Sequence, residues 1–436
     1  MRSHIRKAAA PLVGEIRVPG DKSISHRAVL FAAMADGTSQ LNGVLDSADV
    51  RSTMAAVEAL GAVVEVLAET DHGLDLAVHG WGSDGPIEPV GAIDCGNSGT
   101  TVRLLLGVLA GYDVHAVLTG DESLSKRPMS RVATPLASMG ARVETSDGGV
   151  LPVGVNGGGL VGGDHKLPIA SAQVKSALLL AGVRAEGVTR VCEPAPSRDH
   201  TERMLPAFGI PVGRVGLCAS VSGPLIPASA DVGVPADPSS AAFLVGAALI
   251  VPGSDVTLPG ISLNPTRIGF LRVLARMGAR IDITTGPEMC GEPTGDLRVR
   301  YTENLTGTTV AADEVPSLID EVPLLAIVAT TVQGSTLFEG VGELRVKESD
   351  RLTAIADGIN ALQGGALATE DTLTITGGRP LTGASLDSLG DHRLAMAFAV
   401  AGLVASGETV IDGFEAVDVS YPGFAGDVAQ LLLGAS

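Results

Sequence analysis

Aromatic side chains are scarce in this chain of 436 residues: they make up 3% of it, with one tryptophan and three tyrosines. A core poor in aromatics has to be assembled from Val, Leu, Ile and Ala, which suits closely packed helices and strands. Cysteine is as rare. Cys95, Cys192, Cys218 and Cys290 stand far apart and form no CxxC pair, so the spacing indicates neither a disulfide framework nor a zinc site, and structural thiols are expected. Long apolar runs are missing too. The longest nearly uninterrupted one, Ala241 to Val251, is too short to span a bilayer. The N-terminus, with Arg2, Arg6 and Lys7, lacks the apolar region of a secretory signal, and a cytoplasmic location is expected. No GxxxxGK[ST] occurs, which disfavours an enzyme of nucleoside triphosphates. Cations are outnumbered, 30 Lys and Arg against 49 Asp and Glu, and the net charge of −19 argues against nucleic acid and anionic membrane as partners.

What the chain has is a repeat. At intervals of roughly 65 to 80 residues, a short apolar strand runs into a small-residue turn and a helix that opens on polar or charged side chains. The openings are Asp21 to Arg27, Asn97 to Arg103, Ser171 to Lys175, Asp237 to Ser240, Ile319 to Glu321 and Asp391 to Arg393. Helix starts present unpaired backbone N–H groups and the positive end of the macrodipole, so several facing one cleft would bind anions. Ordinary capping accounts for Ser, Asp and Asn at such places. It does not account for Lys22, Arg27, Arg103 and Arg393, which the dipole opposes.

Each opening helix leads to an apolar strand, such as Val188 to Val191 or Asp255 to Leu258, and then to a second helix. Gly61, Gly140, Gly209, Gly278 and Gly364 fit left-handed glycines at the ends of these second helices. Alternating runs such as Val63 to Val66, Arg142 to Glu144 and Arg280 to Ile283 then read as strands. The unit is β-α-β-α plus one or two strands, and no copy could bury its own apolar faces. Six units divide into three plus three, and the length favours two domains. Pro and Gly punctuate the expected crossings, at Val18-Pro19-Gly20 and at Val232 to Pro235. Against the acidic background the cations Lys22, Arg27, Arg103, Lys126, Arg127, Arg131, Lys175, Arg198, Lys347, Arg351 and Arg393 mark helix starts and loops. For Arg131 and Lys175, weak surface ion pairing is the favoured reading.

The segments PGDKSISHR (19–27), GNSGTTVR (96–103), GDESLSKRPMSR (120–131), ASAQVKSALLLAG (170–182), SRDHTE (197–202), DPSSAAF (237–243), NPTR (264–267), IDEVP (319–323), LRVKESDR (344–351) and GDHRLAMAF (390–398) resemble, in order and over nearly the whole chain, the 5-enolpyruvylshikimate-3-phosphate synthase family, in its class II bacterial form. The resemblance implies an α/β (α+β) repeat fold of two domains, each with three β-α-β-α-β-β units around inward-facing helices, an inside-out barrel. Residues 19–234 would form one domain and 1–18 plus 235–436 the other, with a substrate cleft between them that closes like a clamp. It implies transfer of the carboxyvinyl group of phosphoenolpyruvate to the 5-hydroxyl of shikimate 3-phosphate, with release of phosphate, on the route to chorismate and aromatic amino acids.

Such chemistry needs a proton for the methylene carbon, a base for the attacking hydroxyl, and cations that hold phosphate and carboxylate. By resemblance, shikimate 3-phosphate is held by Lys22, Ser23, Arg27, Ser171, Ala172, Gln173, Arg198, Asp320 and Lys347. Phosphoenolpyruvate is held by Lys22, Asn97, Gly99, Arg127, Gln173, Arg351 and Arg393. Asp320, Glu348 and Lys22 are the implied catalytic residues, with Asp320 the proton acceptor. From the residues alone, the favoured readings are a plain helix cap for Asp320 and, for Glu348, a helical ion pair with Arg345 or Arg351. The resemblance implies no cofactor and no metal, and no repeat edge demands a partner, which points to a monomer. Gly99 implies inhibition by glyphosate.

The chain departs from the family pattern where a lysine is usual near the last repeat's second helix; Val417 to Pro422 offers none. Two other readings stay open. UDP-N-acetylglucosamine enolpyruvyl transferase shares fold and donor but typically uses a loop cysteine, which Gly120 to Met129 lacks. A non-catalytic anion-binding repeat protein would have lost Lys22, Asp320, Glu348 or Arg393, and all four are present.

Overall fold

A computed structural model describes residues 1–434. The chain forms two compact units. One comprises Met1–Val18, Ala236–Pro287 and the chain from Pro293 on; the other comprises Pro19–Pro235 together with Glu288–Glu292. The segment 288–292 thus departs from the simple division expected for residues 235–436. Its physical anchor is Glu292, fully buried with its Oε1 2.7 Å from Nδ1 of the equally buried His200.

The β-α-β-α-β-β repeat is plain in the sheets. In the second repeat Ile93–Asp94 runs parallel to His115–Thr119, which pairs antiparallel with Val150–Asn156, itself antiparallel to Arg142–Ser146. Asp164–Lys166, Gly187–Cys192, Cys218–Gly223 and Gly213–Val215 repeat that order in the third. The parallel pair requires a crossover, and the opening helix supplies it. In two repeats the leading strand is borrowed from elsewhere in the chain. Val232–Gly233 returns to pair with Thr38–Val44 of the first repeat, and Val13–Glu15 pairs with Asp255–Ser262 of the fourth. The sixth sheet has three strands, with Arg2–Arg6 antiparallel to Glu408–Asp412.

The opening helices form the cores. Pro238–Ile250 is buried at every position, as is Val322–Thr330, so the apolar run from Ala241 is a core helix. Helices Gly99–Ala110 and Ala172–Arg184 meet closely enough that a Cβ on Gly107 would lie 2.3 Å from the Ala177 carbonyl oxygen, which excludes any side chain there. The second helices bury one face only: in Gly269–Arg276, Phe270, Leu271, Val273 and Leu274 are buried while Arg272 and Arg276 face solvent. Each unit has its own apolar core.

Two expectations are corrected here. Gly61, Gly140, Gly209 and Gly278 take positive φ at the ends of their helices, but in the fifth repeat Gln363 does so, at φ 63°, and Gly364 does not. Gly364 is needed for space instead, since a Cβ would meet the Ile359 side chain at 2.6 Å. The second correction concerns the thiols. Cys192 and Cys218 form a disulfide, because the antiparallel strands Gly187–Cys192 and Cys218–Gly223 place them directly opposite each other. Spacing along the chain carries no trace of a register set by sheet pairing. Cys95 and Cys290 are free, and burial pushes the Cys95 thiol up to about 12.

Candidate active site

In the Pro19–Pro235 unit the helix starts carry the cations. Asp21, Ser98 and Ser171 cap helices Lys22–Met34, Gly99–Ala110 and Ala172–Arg184, each side chain accepting a backbone N–H one turn on. Lys22, in the first turn, pairs with Asp49. Arg27 is buried among hydroxyls: Nε donates to Thr201 at 2.8 Å, Nη2 to Ser176 at 2.9 Å, and Nη1 to the Ser23 carbonyl at 2.9 Å. Burial lowers its pKa to about 10, well clear of neutrality. Arg27 therefore braces the turn at Ser23, with two of its five N–H groups beyond those bonds.

Over Gly99 two guanidiniums converge. A Cβ on Gly99 would lie 2.9 Å from Nη1 of Arg103 and 3.3 Å from Nη1 of Arg127. Arg127 donates to Asn97 Oδ1 at 3.0 Å, and Asn97 donates in turn to Asp121 at 2.7 Å. Arg103 donates to Gln173 Oε1 at 2.7 Å, and Gln173 donates to Thr100 at 3.0 Å. Among the described residues no carboxylate pairs with Arg103 or Arg127. Burial, then the like charges of Arg127 and Arg131, bring the Arg103 pKa down to about 10. Two cations that repel each other at a helix start, without a protein counter-ion, make a place for an anion.

The other unit arranges its charges differently. Asp320 lies in the 3₁₀ turn Ile319–Glu321 that precedes helix Val322–Thr330, and the cap position falls on Glu321 with no side-chain capping bond. Asp320 is thus not a cap. Its carboxylate is 3.4 Å from Arg351 Nη1, 3.7 Å from Arg393 Nη2 and 3.9 Å from Lys347 Nζ. Arg351 is buried and also donates from Nε to Asp391 at 2.6 Å and from Nη2 to Glu348 at 2.6 Å. Burial opposes its charge, but Glu348, Asp391 and Asp320 more than offset that and hold its pKa above the usual arginine value. Arg393 donates to the Asp320 carbonyl at 3.1 Å and lies 3.6 Å from Glu321. Glu348 pairs with Arg351, whereas Arg345 pairs with Asp350 at 2.9 Å. That ion pair is no solvated helix decoration, since the arginine it holds is buried and shared with two further carboxylates.

Lys22, Ser23, Arg27, Asn97, Gly99, Arg127, Ser171, Ala172, Gln173 and Arg198 all lie in the Pro19–Pro235 unit, and Asp320, Lys347, Glu348, Arg351 and Arg393 in the other. Lys175 corrects the surface reading. It is buried between Glu193 at 2.7 Å and Glu202 at 2.8 Å. A helix-start cation with no acidic neighbour in sequence looks solvated; its partners arrive from the strand end at Glu193 and the helix beginning at His200. Arg131 is exposed, as a surface cation would be. Asp391, which fixes Arg351, stood at a helix opening as one more cap, and Glu193, which grips Lys175, was not singled out by the sequence.

Two guanidiniums without a carboxylate partner over a helix start in one unit, and a carboxylate set among three cations in the other, on six copies of one α/β repeat, define a protein that handles small anions. The family described as EPSP synthase (3-phosphoshikimate 1-carboxyvinyltransferase) matches residues 6–428, and the chain belongs to it. It is 47% identical over 421 residues, 96% of each chain, to the 3-phosphoshikimate 1-carboxyvinyltransferase of Shouchella clausii (strain KSM-K16). To that of Halorhodospira halophila (strain DSM 244 / SL1) it is 50% identical over 424 residues, 97% of this chain and 94% of the other. A solved EPSP synthase from Acinetobacter baumannii superposes with a TM-score of 0.90 at 41% identity, covering 99% of this chain and 98% of that one. Among the described residues no helix is long and apolar enough to cross a membrane.

Proposed function

We propose that this chain transfers the carboxyvinyl group of phosphoenolpyruvate to the 5-hydroxyl of shikimate 3-phosphate, and that its two charge clusters divide the work. Gly99, Asn97, Arg127 and Gln173, with Lys22 and with Arg351 and Arg393 of the other unit, hold phosphoenolpyruvate. Ser23, Arg27, Ser171, Ala172, Gln173 and Arg198, with Lys22, Lys347 and Asp320, hold shikimate 3-phosphate. The observation that carries the reading is Asp320. Its carboxylate lies within 4 Å of Lys347, Arg351 and Arg393, so the cations that would draw in an anionic substrate surround the group that takes the proton of the attacking hydroxyl. Glu348 is the second carboxylate, held by Arg351 and partly exposed. Arg351 keeps two N–H groups beyond its bonds to Asp391, Asp320 and Glu348.

The reading places the enzyme in the cytoplasm as a monomer, working without a cofactor, and inhibited by glyphosate. The experiment that tests it is phosphate release from phosphoenolpyruvate with shikimate 3-phosphate or UDP-N-acetylglucosamine as acceptor. Release only with shikimate 3-phosphate is expected; release with the nucleotide sugar, or with neither, contradicts it.

A further inference from the structure

Glu193 gathers two segments of the Pro19–Pro235 unit onto one carboxylate, the start of helix Ala172–Arg184 and the loop at Ser197. Its Oε1 accepts the backbone N–H of Ser171 at 2.8 Å and the hydroxyl of Ser197 at 2.7 Å. That hydroxyl also lies 2.8 Å from Oε2, which in turn lies 2.7 Å from Nζ of Lys175. Ser171 caps helix Ala172–Arg184, and Ser197 immediately precedes Arg198. Glu202 fixes Lys175 from its other side at 2.8 Å, and none of the three charged side chains is more than 5% exposed. Burial works against the charge on Lys175, but Glu202 and Glu193 outweigh it and raise its pKa. The ammonium is therefore permanent, and it holds the carboxylate in place. The Glu193 backbone is held as well, its N–H donating to the Leu217 carbonyl at 3.0 Å beside the disulfide.

We infer that Glu193 is a positioning residue for the phosphate end of shikimate 3-phosphate: it sets the separation of the Ser171 helix start from the Arg198 loop without touching substrate. This rests on the reading that Ser171 and Arg198 hold that ligand. The role calls for a carboxylate because three donors converge, a backbone N–H, a hydroxyl and an ammonium. A glutamine amide has one acceptor oxygen and would turn its NH₂ toward one of those donors. Glu193→Gln thus keeps the shape and loses one of the three donors. Glu202→Gln is its matched control, since Glu202 also grips Lys175 but bonds neither Ser171 nor Ser197.

Calorimetric titration of shikimate 3-phosphate into the whole protein, with the phosphoenolpyruvate KM measured beside it, tests the role. Glu193→Gln is expected to weaken shikimate 3-phosphate by about ten- to a hundredfold while the phosphoenolpyruvate KM stays within about twofold. Glu202→Gln should weaken it less than about threefold at a similar loss of thermal stability. Equal weakening by the two variants, or equal changes for both substrates, overturns the positioning role. Ser171→Ala separates the two ideas. If it leaves affinity unchanged, the phosphate reading fails and the inference with it; if it weakens binding and Glu193→Gln does not, only the inference fails. Should Glu193→Gln not fold, Ser197→Ala removes the loop's bond alone and is expected to weaken binding about three- to tenfold, and unchanged affinity there is equally fatal.

Discussion

The two units solve opposite electrostatic problems with the same repeat. Around Gly99, Arg103 and Arg127 face each other with amide and carbonyl partners only, a repulsion that a bound anion would relieve. Around Arg351 three carboxylates, Asp320, Glu348 and Asp391, share one guanidinium, so its charge is compensated before any ligand binds while two of its N–H groups stay outside these bonds. The difference teaches where each function can sit. An uncompensated pair of cations is suited to holding an anion, and a carboxylate set among cations is suited to taking a proton from a bound anion's hydroxyl, because the cations bring the two together.

The comparison breaks most visibly at Arg351. Arg351→Met would leave Asp391 fully buried without its guanidinium, and losing one partner of such a buried pair costs about 3–5 kcal/mol. Scanning calorimetry should show a clear fall in Tm together with loss of turnover; an unchanged Tm would mean the carboxylates are not compensated by Arg351. At Gly99 the expected effect is smaller. A methyl there meets the ends of Arg103 and Arg127, flexible groups that can give way, but into the space a ligand would use. Gly99→Ala should weaken glyphosate inhibition by about ten- to a hundredfold, the scale of about 1–3 kcal/mol for overpacking, with less effect on the shorter phosphoenolpyruvate. Equal sensitivity of the two proteins, each assayed at its own half-saturation, would remove Gly99 from the anion pocket. The smallest effect belongs to Cys95. Its thiol, fully buried and pushed up to about 12, is almost wholly protonated at pH 7–9 and cannot serve as a nucleophile. Cys95→Ala should keep turnover within about threefold and native Cys95 should resist alkylation below pH 10; a large loss of turnover would favour cysteine-dependent transfer.

Much of this was legible along the chain, for identifiable reasons. Helix starts are local, so the caps at Asp21, Ser98, Ser171, Asp237 and Asp391 follow from a few residues each. The 3₁₀ turn at Asp320 was less so, because its pairing with Lys347, Arg351 and Arg393 depends on segments up to 73 residues away. The same limit hid the Cys192–Cys218 bond, set by sheet register, and the burial of Lys175, whose two glutamates come from other elements. Gln363 at positive φ went against composition, since a glycine stood next to it; side-chain crowding at Gly364 decided which residue took which role.

The division of labour between the clusters is tested most directly by measuring kcat and the phosphoenolpyruvate KM side by side for Arg127→Gln and Asp320→Asn, with shikimate 3-phosphate binding to the latter measured by calorimetry. Arg127→Gln is expected to raise the phosphoenolpyruvate KM about tenfold or more with kcat changed much less, the mark of lost ground-state binding. Asp320→Asn should keep much of its shikimate 3-phosphate affinity while kcat falls at least about a hundredfold, the scale of a missing acid or base. If both variants show one and the same pattern, or if Asp320→Asn turns over near normally, the account of an anion-holding cluster and a proton-moving one is wrong.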